Sequence, residues 1–389
     1  MNRSYKTLLI IVLVGALGVF SFHCASPEMT SARLYVQQEQ WNEALSALES
    51  ELEHNPDNAE AWYLKGRVHS ELGNFDEMLE AFESSLEFSD DYKQEIEEIR
   101  FNNWVAFINA GIEEYNLGQE DPDNYRTAIE LFELASKMEP DSTVAYKNWG
   151  FAHLILGEME EAIEPFKETL KREDDPEIAK YTGQIYFDKG YDIWNRHYGE
   201  DMDPELREEM EEHLEEAIRY LRKSMEWDPD DGEVVATLSN AYIVLDRQEE
   251  AKEIFRAGIE TDPDNKIYYY NLGVLELEED NFETAIDLFE SAVELDPEYH
   301  DAYYNMGVAY VNWGVELREK AVQEDDEDKT YREKFEAAVP HLERVVDVRP
   351  DDAELFETLG RLYANLDRVE EAEAAFERAD ELRGGGGGQ

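Results

Sequence analysis

Cysteine is nearly absent. Of 389 residues only Cys24 carries a thiol, which excludes a disulfide framework within the chain and a cysteine-built metal site. Glycine and proline are sparse, at 22 and 12 residues, too few for a fibrous or disordered chain. Cations are the third shortage: 35 Lys and Arg stand against 94 Asp and Glu, a formal net charge of -59. Phosphate-backbone binding needs clustered Lys and Arg, so no nucleic acid is expected as a partner. The only glycine run is at residues 384–388, so no phosphate-cradling loop exists. No H-E-x-x-H spacing and no G-x-S-x-G elbow occurs. The acidic run at residues 324–328 lacks the alternating order and glycine of a calcium loop. His197 and His213 fall in one long insertion and give only a weak metal site. The chain therefore reads as a non-enzyme with no cofactor, no metal and no small-molecule substrate.

The acid excess has two explanations at this stage. It serves a basic or cationic partner, or it is a solubility device for high salt, where repulsion is screened. Carboxylates spread along the whole chain favour the halophilic explanation.

Hydrophobic residues make up 42% of the chain. The first concentration is the uncharged run at residues 8–22, after Arg3 and Lys6. A membrane-spanning helix needs about 20 apolar residues, whereas a signal-peptide core needs roughly 7–15. Cys24 follows, then Ala25, Ser26 and Pro27. This start resembles a bacterial lipoprotein signal, in which the cysteine is lipidated and becomes the mature N-terminus. His23 stands where that signal usually has a small residue, so an uncleaved N-terminal anchor over residues 1–24 is the alternative. Either version exports the chain and tethers it to a membrane of the cell envelope.

The rest of the chain repeats itself. Asp228-Pro229, Asp262-Pro263 and Asp296-Pro297 recur every 34 residues, and the same period joins Tyr269 to Tyr303, Gly273 to Gly307, Ala251 to Ala285 and Phe255 to Phe289. Small residues at Gly273, Ala285 and Ala292 allow two helices to approach, and Tyr269 and Phe289 fill the space between them. Pro297 ends the second helix, because it lacks an N–H and clashes with the preceding turn. The flanking apolar residues recur at three- and four-residue intervals, the mark of amphipathic helices. The set resembles the tetratricopeptide repeat and recurs about nine times. The expected fold is all-α: a right-handed superhelical solenoid of about nine helical hairpins over residues 25–383, with a flexible Gly-rich tail at residues 384–389. Three hairpins are lengthened. Tyr186 to Ala217 and Tyr310 to Ala338 span 31 and 28 positions where Tyr242 to Ala251 spans nine, and the third repeat is overlong near residues 118–124.

The resemblance implies a scaffold that binds proteins or peptides along a groove lined by the first helix of each hairpin. Carried over, the groove residues are Lys147, Asn148 and Phe151, then Ala236 and Asn240, then Tyr270, Asn271 and Val274, then Tyr304, Asn305 and Val308. Asn pairs with an extended backbone through both donor and acceptor, and Tyr offers a large amphipathic contact. Asn271 and Asn305 are equally open to a purely structural role. The carboxylate clamp known in the family is not expected: its Asn positions are met by Asn240 and Asn271, but its cationic positions hold Ala236, Asp301 and Asn305. A regulatory or substrate-presenting subunit of an envelope enzyme is the alternative function.

Overall fold

The computed structural model describes residues 26–199, 202–229, 231–324 and 329–384. Cys24, the apolar run before it and residues 385–389 lie outside these, and so do the expectations placed on them. The chain divides into two compact units, Met1–Ala152 and His153–Gln389. Among the described residues there are eighteen α-helices and no strand.

The first unit begins with α1 (Pro27–Gln37) and α2 (Trp41–His54), then α3 (Ala59–Leu72) and α4 (Phe75–Phe88). A short 3-10 turn, Asp90–Tyr92, leads into α5 (Lys93–Leu117) and α6 (Asp123–Met138). Helix α7 (Thr143–Ile155) runs across the boundary between the units. Chemistry sets the start of α1: Ser26 accepts a hydrogen bond from the Met29 N–H at 3.0 Å, and Pro27 occupies the first turn, where no N–H is needed. The Ser26 hydroxyl also donates to Glu51 of α2, whose carboxylate receives the amides of Asn55 and Asn58 at 3.0 and 2.7 Å. One buried acid thus ties the first hairpin to the turn before α3.

The second unit continues with α8 (Met159–Arg172), α9 (Pro176–Arg196) and α10 (Pro204–Met225), then α11 (Gly232–Val244) and α12 (Gln248–Thr261). Then come α13 (Lys266–Glu278), α14 (Phe282–Leu295), α15 (His300–Glu324), α16 (Thr330–Val346), α17 (Ala353–Asn365) and α18 (Val369–Gly384). Helix α18 takes into its last turn Gly384, the first residue of the predicted tail.

Taken two at a time along the chain, these helices correspond to the nine repeats. The regular second-unit hairpin α13/α14 has helices of 13 and 14 residues, while α9/α10 has 21 and 22 and α15/α16 has 25 and 17. All three hairpins expected to be lengthened are so, but residues 118–122 of the third are the turn between α5 and α6 and not added helix. In the third, α5 also reaches back to Lys93, which the sequence reading did not foresee. The six hairpins of ordinary length share a turn device: Glu39, Gly73, Gly157, Asp246, Asp280 and Asp367 each sit at positive φ, between 56° and 74°. A single left-handed residue ends one helix and points the chain into the next.

Packing follows the expected small-against-large rule. A Cβ added to Gly273 would lie 2.8 Å from Phe289, and one added to Gly307 would lie 2.5 Å from Leu342. These glycines let the paired helices touch. Buried Leu238, Tyr242, Phe255, Tyr268 and Leu272 form one apolar cluster across α11, α12 and α13. Beside it lies a charged core element. The Lys252 ammonium, 2% exposed, is 3.3 Å from Glu276, and Glu276 is also met by Arg256 at 3.0 Å and by the Asn281 amide at 2.8 Å. Desolvation opposes the Lys252 charge, but the carboxylates of Glu279 and Glu276 outweigh it and raise its pKa.

Candidate partner-binding face

The predicted groove residues divide between the units. Lys147, Asn148 and Phe151 lie on α7 in the first unit and are half-buried. The Asn148 amide donates to the Val144 carbonyl one turn back, at 2.7 Å. Asn240, Tyr270, Asn271, Val274, Tyr304, Asn305 and Val308 lie on α11, α13 and α15 in the second unit.

Tyr270 and Asn305 meet. The Asn305 amide is 3.1 Å from the Tyr270 hydroxyl, bridging α13 and α15. The Tyr270 ring also packs on Tyr299 and Phe289, with centroids 4.9 and 5.9 Å apart. Desolvation, then the nearby Asp301 charge, pushes the Tyr270 phenol pKa up, so the hydroxyl stays protonated at neutral pH. Asn305 is thus engaged within the chain, where it fixes a groove tyrosine. Asn271 is different. It is half-buried and makes no side-chain hydrogen bond among the described residues, while Asn240 is exposed and equally unengaged. Val274, Tyr304 and Val308 are half-buried on the same helices.

The carried-over cationic positions bear no positive charge, as expected, yet a cation is present. Arg349 pairs with Asp301 and stacks its guanidinium 5.2 Å from the Tyr304 ring. It comes from the turn between α16 and α17. The signal was in the repeat itself: three repeats read Asp-Pro at this point, and the eighth reads Arg349-Pro350. Lys266, at the start of α13, lies 4.8 Å from the Tyr299 ring and pairs with Asp296. Both cations are therefore spent on carboxylates of the chain's own.

A second stretch of the first-helix face lies between α9 and α11. Lys180 is 2.8 Å from Asp231 and 2.6 Å from Glu233, and the Gln184 amide donates to Glu233 at 2.6 Å. Further along, Trp194 of α9 and Val244 of α11 border one cavity. His197 bonds the Ile193 carbonyl and His213 packs on Tyr186, so the two take separate partners. Among the described residues no group of three or more His, Cys, Asp or Glu is placed to hold a metal ion. No described helix is long and apolar enough to cross a membrane.

Comparison with known proteins agrees with this architecture. Tetratricopeptide repeat models match residues 29–92, 210–273 and 328–386, and a TPR repeat model matches residues 275–314. The chain carries tetratricopeptide repeats in both of its units. No curated protein matches it. Among solved structures it is similar to the C-terminal part of a TPR repeat-containing protein from Cytophaga hutchinsonii, at 16% identity and TM-score 0.49, over 70% of this chain and 95% of that one. It is also similar to MamA, at 23% identity and TM-score 0.36, over 47% of this chain and 96% of that one. A third similarity is to YrrB, described as a TPR protein with an unusual peptide-binding site, at 19% identity and TM-score 0.39, over 55% and 95%.

Proposed function

We propose that this chain is a non-catalytic scaffold that holds extended segments of partner proteins on the face built by the first helices of its hairpins. One observation carries the reading. The groove tyrosine Tyr270 is held in place by Asn305, while Asn271 beside it keeps donor and acceptor unspent. A part-exposed amide with no internal partner is left to water, and an extended backbone offers both complementary groups to take that water's place. The experiment is partner capture from native membranes with the full chain, comparing wild type with an Asn271→Ala, Tyr304→Ala double variant. Stoichiometric recovery by wild type and a tenfold or greater loss in the variant support the reading. Equal recovery contradicts it.

The same proposal places the chain in a bacterial envelope, tethered through Cys24. Its support is the order of Arg3 and Lys6, the apolar run and the lone cysteine. Each buried CH₂ of an attached acyl chain adds about 0.8 kcal/mol of membrane affinity. Cys24→Ala is expected to release the protein into the soluble fraction; membrane retention with Met1 intact would contradict lipidation. The acid excess fits a high-salt setting, in which the melting temperature rises between 0.01 and 1 M sodium chloride as the Debye length shrinks from about 30 to about 3 Å.

A further inference from the structure

Helices α9 and α11 run side by side in a constant register. Lys180 meets Asp231, Gln184 meets Glu233, and Trp194 shares a cavity with Val244, so partners are about fifty positions apart throughout. That offset places Asn240 level with Tyr191. Glu233, Asn240 and Val244 fall seven and four residues apart, on one face of α11.

The α9 side of this trough is aromatic. Phe187, Tyr191, Trp194 and Tyr198 follow one another at four, three and four residues. Their ring centroids are 5.4, 5.3 and 4.9 Å apart in succession. Tyr198 is 72% exposed and Tyr191 39%. At the far end a cavity of about 240 Å³ opens among Trp194, Tyr198, Met202, Met210 and Val244, with Arg207 on its wall.

Asp188 borders the aromatic stripe, one turn before Tyr191. It makes no ion pair among the described residues, although Lys189 and Asp192 beside it on α9 are matched. Lys189 pairs with Glu160 at 2.6 Å, Asp192 with Arg196, and Lys180 with the α11 carboxylates. Desolvation alone pushes the Asp188 carboxyl above its ordinary range, while its surface stays open to solvent. An unmatched carboxylate beside exposed aromatic faces has the chemistry of a cation receptor: the charge pairs with Asp188, and the ring faces attract the same group. Arg207 makes the cavity itself unsuitable for a cation and leaves it to an apolar side chain.

We propose that the trough between α9 and α11 binds an extended segment of a partner protein, pairing its lysine or arginine with Asp188 and seating an apolar side chain in the cavity beside Trp194. This rests on the scaffold reading above and names the partner's chemistry. The spacing follows from helix geometry. Asp188 and Trp194 are six residues apart, about 9 Å along α9 at 1.5 Å per residue. An extended peptide covers that in about three residues at about 3.3 Å each. The partner motif is therefore a cation and an apolar residue three positions apart, in either order.

The test is selection of a randomised eight-residue peptide display library on the purified chain, on Asp188→Asn and on Asp188→Lys, each checked for folding by circular dichroism. Wild type is expected to enrich Lys or Arg three positions from an aromatic or aliphatic residue. Asp188→Asn should lose the cation preference at least tenfold and keep the apolar one, and Asp188→Lys should favour Asp or Glu. An absence of charge preference, a preference unchanged in Asp188→Asn, or no enriched sequence at all would overturn the proposal. If the partner captured from membranes is lost by the Asn271, Tyr304 variant but retained by Asp188→Lys, the scaffold reading stands and this inference falls.

Discussion

Two stretches of one face in the second unit treat charge oppositely. Between α13 and α15, Asp301 is answered by Arg349, Asp296 by Lys266, and the Tyr270 hydroxyl by Asn305. Between α9 and α11, Asp231 and Glu233 share Lys180 at one end, but Asp188 faces the trough without a partner. In the first stretch these charges are matched within the chain, and the Asn271 amide is left open between aromatic edges. The second has an unmet charge. The comparison teaches that the net charge of -59 is not expressed evenly: on the proposal above, Asp188 serves recognition because the chain has spent no cation on it.

Four substitutions break or sharpen the comparison. The largest effect is expected from Gly307→Leu, which drives a side chain into Leu342 and disturbs α15 beneath Asp301, Tyr304 and Asn305. Overpacking of this kind costs about 1–3 kcal/mol or more. A melting curve identical to wild type would show that α15 and α16 do not cross there. Next is Asp231→Ala. Asp231 caps α11 by accepting the N–H groups of Glu233 and Val234 at 3.0 and 3.2 Å, and it also binds Lys180. Loss of the cap and the pair should lower stability by about 1–2 kcal/mol, read by urea titration at neutral pH.

Asn305→Ala comes third, at about 1 kcal/mol for one hydrogen bond. Its sharper signature is greater mobility of the Tyr270 ring by NMR, with the rings of α9 unchanged; a Tyr270 ring as ordered as in wild type would separate the two residues functionally. Smallest is Asp188→Asn, which should stabilise the protein by about 0.3 kcal/mol at pH 7, after discounting for solvent screening.

The pH dependences of Asp231→Ala and Asp188→Asn have opposite signs. Burial works against the Asp231 charge, but Lys180 and the helix N–H groups outweigh it and hold the carboxyl below the usual range. Its stabilisation is complete above the unfolded aspartate pKa and is lost as pH falls through the depressed folded value. Asp188 has a raised folded pKa. Its ionised form costs stability at neutral pH, and that cost disappears as pH falls through the raised value. The Asp188→Asn gain should therefore fade on acidification, whereas the penalty of Asp231→Ala should shrink only at still lower pH. A gain that grew on acidification would contradict the account of Asp188.

Much of the fold was legible because the repeat advertises it. A proline every 34 residues, the recurrence of Gly273 at Gly307, and the stretched intervals at Tyr186 and Tyr310 gave the hairpins and their extensions. The groove tyrosines and asparagines were legible through their repeat positions. What each one touches was not. Nothing in the sequence set Lys252 and Glu276 apart from the other charges, and only the packing of α12 against α13 buries them. Arg349 lies 48 residues from Asp301, too far for any local pattern, although its replacement of the Asp in Asp-Pro marked it. Asp188 was missed because its property is the lack of a partner, which depends on where Lys180, Lys189 and Arg196 turn their ammonium and guanidinium groups.

The most direct test of the scaffold reading is site-specific photocrosslinking in native membranes. A photoreactive residue is placed in turn at Asn240, Asn271 and Val308 on the first helices, and at Glu283 and Glu290, which are exposed on α14. Crosslinks to one or a few partner proteins from the first-helix positions, with none from α14, are the predicted result. Equal crosslinking from α14, or from it alone, would contradict the account.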